Sequence, residues 1–414
     1  MTRATMEHMP TSPYGAVLRL PGVARLFAVA FVARIPTAAA GVVLTLHVVQ
    51  SLGKGYGQAG VVAGAMTIGM AIGAPWRGRL VDRLGLRRAI APSVLVESAV
   101  WLMAPHLGYH ALVGAAFVGG LFLVPVFSVT RQSLSVLVPP ALQRSGFALD
   151  SVLVEITFML APVAGVLLAT QGSTGLALTV VGCTTVAAGL LLMWANPPTR
   201  SRTPAIELPA DLREPEHAAP RRVVTPELAV VLLAGLAASF ILVGTDVSLV
   251  AALNDAGRAA DVGWMIALWA GGSVVGGLLH GMGTRNRSPL LLVAVLALAT
   301  VPAAFAPVPV WLAFAMVLAG LPCAPALASI NARLVQLVPE ARRGEVMGWG
   351  GTMSTVGNAL GAPLCGWVID QTGPSGGFLT AAAVGGTIAV GGLVVSRLVR
   401  SRADAVPGRE LVSV

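Results

Sequence analysis

Five ionisable residues interrupt apolar stretches of this sequence that are long enough to cross a membrane. They are Arg34, Glu97, Asp150, Glu155 and Asp246. An ionisable side chain inside a membrane-spanning segment is costly, and it marks a pathway for an ion, a proton or a substrate. A carboxyl group in such a place can take up and release a proton. We therefore interpret the four acidic residues as candidates for proton coupling and Arg34 as a candidate for substrate binding.

Asp246 is the strongest of the acidic candidates because residues 240–249 contain no other charge. The alternative is that Asp246 has no role in transport and is only stabilised in the membrane by hydrogen bonds from neighbouring hydroxyl groups. Glu155 lies about two helical turns inside its own apolar run. Asp150 lies near the cytoplasmic end of that run, where we expect it to pair with Arg144.

Glu97 and the basic or amide candidates have competing interpretations. Packing against an inner helix explains Glu97 as well as a function does. Arg34 lies about two turns inside the first apolar run, and its side chain could instead reach back to the cytoplasmic surface. Three further candidates for a cavity wall lie toward the cytoplasmic ends of the fourth and tenth runs, where pairing at the surface is the alternative: Gln132, Asn331 and Arg333.

The elements that position these residues follow from the composition. Of the 414 residues, 56% are hydrophobic and only 11% are charged, and the mean hydropathy is +0.81. Soluble domains contain about 25% charged residues, so this composition excludes a soluble or disordered chain. Long unbroken apolar runs favour membrane helices over a β-barrel. The runs, named spans 1 to 12 in chain order, are 24–49, 57–77, 89–107, 110–137, 146–170, 174–194, 227–253, 261–281, 289–306, 309–336, 345–370 and 376–398.

The basic residues indicate the orientation of these spans. With the N-terminus inside, 24 of the 27 basic residues fall in cytoplasmic loops or termini, two fall in outer loops, and Arg34 lies within span 1. This asymmetry follows the positive-inside rule and predicts that both termini are cytoplasmic. The net charge of +9 is therefore a topology signal and does not indicate a nucleic-acid partner. The three cysteines lie in apolar runs at unrelated spacings, which favours packing over a disulfide or metal site.

The chain also divides into two similar halves. Residues 196–226 are rich in proline and charge, which is typical of a flexible linker. This predicts an N-terminal six-helix bundle over 1–195, a cytoplasmic linker over 196–226 and a C-terminal six-helix bundle over 227–414. Two motifs repeat in step across the halves: the sequence around Pro139 returns at Pro339, and that around Pro162 returns at Pro363.

A glycine- and arginine-rich motif lies between spans 2 and 3. Its residues are Gly78, Leu80, Asp82, Arg83, Gly85, Arg87 and Arg88. This spacing resembles the signature loop of the major facilitator superfamily, Gly-x-Leu-x-Asp-Arg-x-Gly-Arg-Arg/Lys, with Leu86 where arginine is common. The resemblance implies an all-α membrane protein with 12 transmembrane helices in two six-helix bundles.

The same resemblance implies a conformational latch at this loop. Asp82 can accept hydrogen bonds from a helix N-terminus, and the resemblance places that partner at the start of span 11, near Gly344. Arg83 would pair with Asp82 or with a neighbouring carboxylate. Gly78 and Gly85 would allow a tight turn and a close helix approach. The alternative is a solvated loop that only sets the topology.

A second motif of the superfamily is present in weakened form. Drug exporters carry a glycine-rich stretch on helix five, and here Pro162 and Gly165 match it while neighbouring glycines are replaced. Pro363 and Gly366 repeat the pair on span 11. We interpret these residues as a helix-packing motif that brings span 5 close to span 8. Ordinary packing of small residues is an equally open interpretation.

The resemblance implies a secondary transporter that works by alternating access. We expect proton-coupled efflux of a small organic molecule, because few polar residues are available to bind a sugar. The rival is a proton-coupled importer of a metabolite or of an organic anion bound by Arg34. A polytopic enzyme is disfavoured because no catalytic or metal-binding motif occurs, and a channel is disfavoured because it would not need two similar bundles. We expect a monomer in the cell membrane, with a small-molecule substrate, protons and lipid as partners, and without cofactor, metal or nucleic acid.

Overall fold

The computed structural model describes residues 12–200, 225–258, 261–283, 287–306 and 309–404. Every regular element in these residues is a helix. A short helix, Pro13–Arg19, precedes span 1. The helices of spans 1 to 12 are, in order, Val23–Leu46 (continued by a π-helical turn, His47–Ser51), Tyr56–Leu84, Leu86–Met103, Tyr109–Leu121 with Val126–Leu137, Gln143–Gln171, Thr174–Ala195, Pro226–Asp255, Val262–Met282, Pro289–Thr300, Pro309–Gly320 with Cys323–Gln336, Arg343–Thr372 and Pro374–Asp404.

The prediction of twelve membrane helices agrees with this structure. Judged by length and composition alone, nine helices in the described residues are long and apolar enough to cross a membrane. Spans 3, 9 and 11 fall outside that group. Span 3 carries three charged residues, Arg87, Arg88 and Glu97, and the apolar helix of span 9 is short, at Pro289–Phe305. All three pack into the same bundles as the others.

The two halves of the chain pack in the same way. In the first half, span 1 packs against spans 5 and 6, span 2 against span 4, and span 3 against span 6. In the second half, span 7 packs against spans 11 and 12 in the same way, span 8 against span 10, and span 9 against span 12. The chain therefore forms two six-helix bundles. The linker predicted for 196–226 lies mostly outside the described residues, at 201–224, and its boundaries stay a prediction.

Spans 4 and 10 are each interrupted at an equivalent position. Span 4 breaks between Leu121 and Val126, and span 10 breaks between Gly320 and Cys323. Glycines on the neighbouring helix allow this geometry. A Cβ at Gly73 of span 2 would lie 2.2 Å from the carbonyl oxygen of Leu121, and one at Gly276 of span 8 would lie 1.7 Å from that of Leu321. Only glycine fits against these carbonyl groups.

The bundles meet through their cytoplasmic halves, where span 2 packs on span 11 and span 5 packs on span 8. Spans 2 and 11 approach over glycines: a Cβ at Gly348 would lie 2.4 Å from the carbonyl oxygen of Ala74. The Thr352 hydroxyl donates to the carbonyl oxygen of Ala71 at 2.8 Å. The cytoplasmic side of the molecule is therefore closed.

Candidate functional site

Asp82 joins the two bundles at the cytoplasmic side. Its oxygens accept hydrogen bonds from the backbone N–H groups of Gly344 at 3.0 Å and Glu345 at 2.9 Å, both at the start of span 11. The first N–H groups of a helix have no partner inside the helix, and the helix dipole favours an anion there. Gln132 of span 4 donates to the same carboxylate at 2.8 Å. Asp82 is buried, so these contacts form one connection between spans 2, 4 and 11.

The ion pair beside this connection is made by Arg79. Its guanidinium lies 2.8 Å from the carboxylate of Glu345, whereas Arg83 is exposed, so the expected pairing of Arg83 was wrong. Gly85 has a φ of 77°, which only glycine adopts readily, and it separates spans 2 and 3. Arg87 donates to the carbonyl oxygen of Met193 at 2.8 Å, and Arg88 is exposed. The role of the loop as a conformational latch stays a prediction.

A second connection between the bundles is made by spans 5 and 8. The Ser145 hydroxyl donates to the carbonyl oxygen of Gly281 at 2.6 Å. Tyr14, on the helix before span 1, donates to the carbonyl oxygens of Gly277 and Leu278. Burial raises the pKa of Tyr14 to about 12, so its hydroxyl keeps the proton that it donates. Both ends of the cytoplasmic closure are thus held by hydrogen bonds between the halves.

Glu155 connects the bundles deeper in the membrane. It is half-buried, and its Oε1 accepts hydrogen bonds from the Ser273 hydroxyl at 3.2 Å and from the Cys323 thiol at 3.5 Å. Ser273 belongs to span 8, and its oxygen accepts the backbone N–H of Ala324 at 3.2 Å, in the first helical turn after the interruption of span 10. A carboxylate of the first bundle is therefore linked to the broken helix of the second bundle.

Asp246 of span 7 lies near this connection. Its side chain is exposed, and it interacts electrostatically with Glu155 and with Cys323. Because Glu155 belongs to span 5 and Cys323 to span 10, Asp246 lies near spans of both bundles. We call Glu155 and Asp246 the central carboxyl pair.

A separate group of charges, the arginine cluster, consists of Arg34, Arg131 and Asp150. Nη2 of Arg34 lies 2.6 Å from Oδ1 of Asp150, and Nε of Arg131 lies 3.5 Å from Oδ2. The pairing of Asp150 with Arg144 was therefore a wrong prediction, since Arg144 donates to the carbonyl oxygen of Gly283 at 2.5 Å. Arg34 is fully buried and does not reach the cytoplasmic surface.

Glu97 does not join either group. Its two oxygens accept hydrogen bonds from the indole N–H of Trp101 at 3.3 Å and from the backbone N–H of Val124 at 2.9 Å. Val124 lies in the interruption of span 4, where Arg77 also donates to the carbonyl oxygen of Gly120 at 3.1 Å. Glu97 thus satisfies the backbone of a broken helix inside the first bundle, which agrees with the packing alternative, and its role as a proton-coupling residue stays a prediction.

The three cavity-wall candidates occupy different places. Gln132 is bound to Asp82 and belongs to the cytoplasmic connection. Arg333 pairs with Glu227 at the cytoplasmic ends of spans 10 and 7, where both line a cytoplasmic cavity of about 840 Å³. Asn331 is buried on the same half-helix as Arg333. Arg333 thus lines a cavity at the cytoplasmic side and also pairs at the surface, Gln132 belongs to the cytoplasmic connection, and a role of these residues in substrate binding stays a prediction.

The helix-packing residues also have other partners than expected. Pro162 and Pro363 lie inside spans 5 and 11. A Cβ at Gly165 would lie 2.8 Å from Cγ2 of Val43, so this glycine brings span 5 close to span 1 and not to span 8. A Cβ at Gly366 would meet open space. The close approach of span 11 to span 7 uses Gly357, whose Cβ would lie 2.3 Å from the carbonyl oxygen of Leu236.

Sequence reasoning missed the polar groups that serve the helix interruptions. Arg77 was counted among the cytoplasmic basic residues, yet it lies within span 2 and binds the backbone next to the interruption of span 4. Cys323 was interpreted as a small packing residue, and Ser273 was not considered. The available signal was proline at equivalent places in two apolar runs, Pro125 and Pro322, because a proline removes a helical hydrogen bond and the freed backbone group needs another partner.

Comparisons with known proteins agree with this architecture. The human organic anion transporter MFSD10 (TETRAN) superposes with a TM-score of 0.72 at 16% identity, covering 89% of this chain and 99% of that one. A crystal structure of the E. coli fucose:proton symporter FucP gives 0.68 at 15%, covering 90% and 98%. The proton:xylose symporter XylE gives 0.69 at 12%, covering 89% and 94%. A search of curated proteins gives no match.

A family model matches almost the whole chain. The model of the Major Facilitator Superfamily covers residues 26–281 and again 247–412. Two overlapping matches agree with two halves that pack in the same way. The protein is thus a multi-pass integral membrane transporter, and the chain belongs to the major facilitator superfamily.

Proposed function

We propose that this transporter is coupled to protons and exports small organic molecules, with Glu155 and Asp246 as the groups that carry the proton. The observation that supports this proposal is the position of Glu155. It is an acidic residue that contacts both bundles at the depth where span 10 is broken. Acidic residues inside membrane spans serve as proton relays in pumps and transporters.

The contacts of Glu155 give a physical link between a proton and the movement of the bundles. An ionised carboxylate makes hydrogen bonds about twice as strong as a neutral acceptor does. A proton on Glu155 therefore weakens its bonds to Ser273 and Cys323 and favours separation of spans 5, 8 and 10. Asp246, which faces the same space, is the nearby group that can receive or supply this proton.

The direction of transport is inferred from the sequence of span 5 and from the polarity of the chain. Efflux agrees with the exporter-like Pro162 and Gly165 of span 5 and with the scarcity of polar groups for binding a sugar. The alternative is proton-coupled import of an organic anion. It is supported by the arginine cluster, in which two arginines share the single carboxylate of Asp150.

Reconstitution into liposomes tests both proton coupling and direction. The purified protein is given a panel of neutral, cationic and anionic organic compounds under an imposed pH gradient. An exporter that exchanges protons for substrate accumulates a compound when the lumen is acidic, whereas a symporter accumulates it when the outside is acidic. Absence of any gradient-dependent flux across the panel would contradict proton coupling.

Asp246→Asn tests the role of the central carboxyl pair. We expect gradient-driven accumulation to fall at least about tenfold while exchange of compound without a gradient continues, because the variant still binds substrate but carries no proton. The matched control is Asp255→Asn, an exposed carboxylate at the outer end of the same span. Normal driven transport by Asp246→Asn would refute the assignment.

A further inference from the structure

The arginine cluster carries more positive charge than its surroundings compensate. Arg34 and Arg131 both pair with Asp150, and the side chains of Arg34 and Asp150 are 0% and 2% exposed. Two guanidinium groups and one carboxylate leave a net charge of +1 in this buried cluster. A buried charge is stable only when it is paired and hydrogen-bonded, so this arrangement is incomplete without a further anion.

The hydrogen-bonding capacity of the cluster is also unfilled. Nε and Nη1 of Arg34 are buried and have no hydrogen-bond partner, and Nε of Arg131, which is 3.5 Å from Asp150, also makes no hydrogen bond. Burying a donor without a partner costs about 1–3 kcal/mol, more when the group is charged. Two nitrogens of Arg34 that have no partner, beside the Nε of Arg131 that is held only by its ion pair with Asp150, thus point to an acceptor that binds here during the working cycle.

The surroundings favour an organic ligand over a bare inorganic ion. The ring of Phe127 lies beside both arginines, with its centre 4.9 Å from Cζ of Arg34 and 5.9 Å from Cζ of Arg131. Phe127 in turn packs against Phe158, at 6.2 Å between ring centres. The charged donors are therefore next to an apolar aromatic wall, which suits a molecule with an anionic head and an apolar body.

Arg131 is the member of the cluster that stays partly exposed. Its side chain is 20% exposed, whereas those of Arg34 and Asp150 are 0% and 2% exposed. The cluster combines spans 1, 4 and 5, and Asp150 lies on the same span as Glu155, about 7.5 Å away along the helix axis. A ligand that reaches Arg131 therefore lies beside span 5, which also carries one of the central carboxyl groups.

We propose that Arg34 and Arg131 form the binding subsite for the anionic group of the transported molecule, a carboxylate, sulfonate or phosphonate on an apolar body. Asp150 is the internal counter-ion that holds Arg34 when no substrate is bound. This inference rests on the proposed transport function and specifies its substrate class. It applies to export and to import alike, because it concerns recognition and not direction.

Equilibrium binding to the purified full-length protein, without any pH gradient, tests the proposal. The probes are matched pairs of an anion and its neutral analogue: benzoate and benzamide, octanoate and octanamide, and naphthalene-2-sulfonate and its sulfonamide. We expect at least one anion to bind about tenfold or more tightly than its neutral partner, as a hydrogen bond to a charged group implies. Chloride and sulfate are included as inorganic probes.

Arg131→Gln is the main variant because it leaves the pair of Arg34 and Asp150 intact. We expect it to bind the anion about tenfold or more weakly and the neutral analogue equally well. Arg34→Gln alone leaves Asp150 buried without its closest partner and is expected to fold poorly. The double variant Arg34→Gln with Asp150→Asn removes both charges, and we expect it to fold and to lose the preference for the anion.

Three outcomes would overturn the proposal. The first is that no organic anion binds more tightly than its neutral analogue. The second is that Arg131→Gln and the double variant both bind the anion as the wild type does. The third is that only chloride or sulfate binds. A failure of the proposed proton coupling can be distinguished from a failure of this anion subsite. If only proton coupling is wrong, Glu155→Gln transports like the wild type and the protein still binds the anion more tightly than its neutral analogue.

Discussion

Replacing Asp82 by asparagine tests how much the hydrogen bonds of this carboxylate to span 11 stabilise the closed cytoplasmic side. The carboxylate accepts two backbone N–H groups at the start of span 11. The amide of Asp82→Asn keeps one acceptor but turns an NH₂ group toward the second N–H. The loss is one hydrogen bond to a charged group, about 1.5–3 kcal/mol, and a helix-dipole contribution of about 0.3–1 kcal/mol.

Part of that loss is offset because a free asparagine is less well hydrated than a free aspartate in the open state. We therefore expect the equilibrium between closed and open forms to shift by about 2–3 kcal/mol toward the open form. This corresponds to a factor of about 30 to 150 in the ratio of the two populations. Glu345→Gln is the contrasting change. It breaks the pair with Arg79, whose side chain is 51% exposed, and such pairs contribute about 0.2–1 kcal/mol.

Thiol labelling from the cytoplasmic side measures this shift. Ser135→Cys, in a background whose native cysteines are replaced by serine, places a thiol at the closed interface, where Ser135 is 8% exposed and contacts Arg343. A reagent reaches that thiol only when the bundles separate, so its rate is proportional to the open population. An exposed thiol made by Arg88→Cys controls for reagent and detergent.

We expect Asp82→Asn to accelerate labelling of the interface thiol about 30 to 150-fold, and Glu345→Gln to accelerate it less than about fivefold. Labelling of the exposed thiol should not change. Equal rates for Asp82→Asn and its parent would refute the role of the helix N-terminus. Equal acceleration by the two substitutions would show that the exposed ion pair carries the closure.

Two predictions concern the interrupted helices and use thermal unfolding in detergent. Gly276→Ala places a Cβ against the carbonyl oxygen of Leu321, so overpacking should destabilise the protein by about 1–3 kcal/mol and lower its Tm. The control is Gly271→Ala on the same span, whose Cβ meets open space and should leave the Tm unchanged. Equal Tm values for the two variants would refute the packing argument. Glu97→Ala leaves the buried N–H of Val124 without its acceptor and should cost about 1–3 kcal/mol, with gradient-driven flux per folded molecule unchanged. Loss of that flux in a stably folded Glu97→Ala protein would return Glu97 to the coupling machinery.

The membrane topology could be predicted from sequence because it depends on composition along single segments. Apolar runs separated by arginines determine the twelve spans, and the signature loop at Gly78 to Arg88 indicates the family. The partner of Asp82 could also be anticipated, because the family resemblance placed it at the start of span 11 and a helix N-terminus favours a carboxylate. The family match and the packing of the two halves confirm the fold.

The partners of buried polar residues could not be predicted because they depend on distances between spans. Asp150 and Arg144 are six positions apart and looked like a pair, yet Asp150 binds Arg34, 116 positions away. Gln132 and Arg333 both lie near cytoplasmic ends of spans, and only the rotation of each helix directs one to Asp82 and the other to Glu227. Gly165 likewise packs on Val43 because of where span 5 lies in its bundle.

The interruptions of spans 4 and 10 are stabilised in different ways in the two halves. The backbone N–H of Val124, in the interruption of span 4, is bound by Glu97 inside the first bundle. The backbone N–H of Ala324, in the first turn after the interruption of span 10, is bound by Ser273, whose hydroxyl also donates to Glu155 across the interface. One interruption is therefore closed within its own half, whereas the other is a point of communication between the halves.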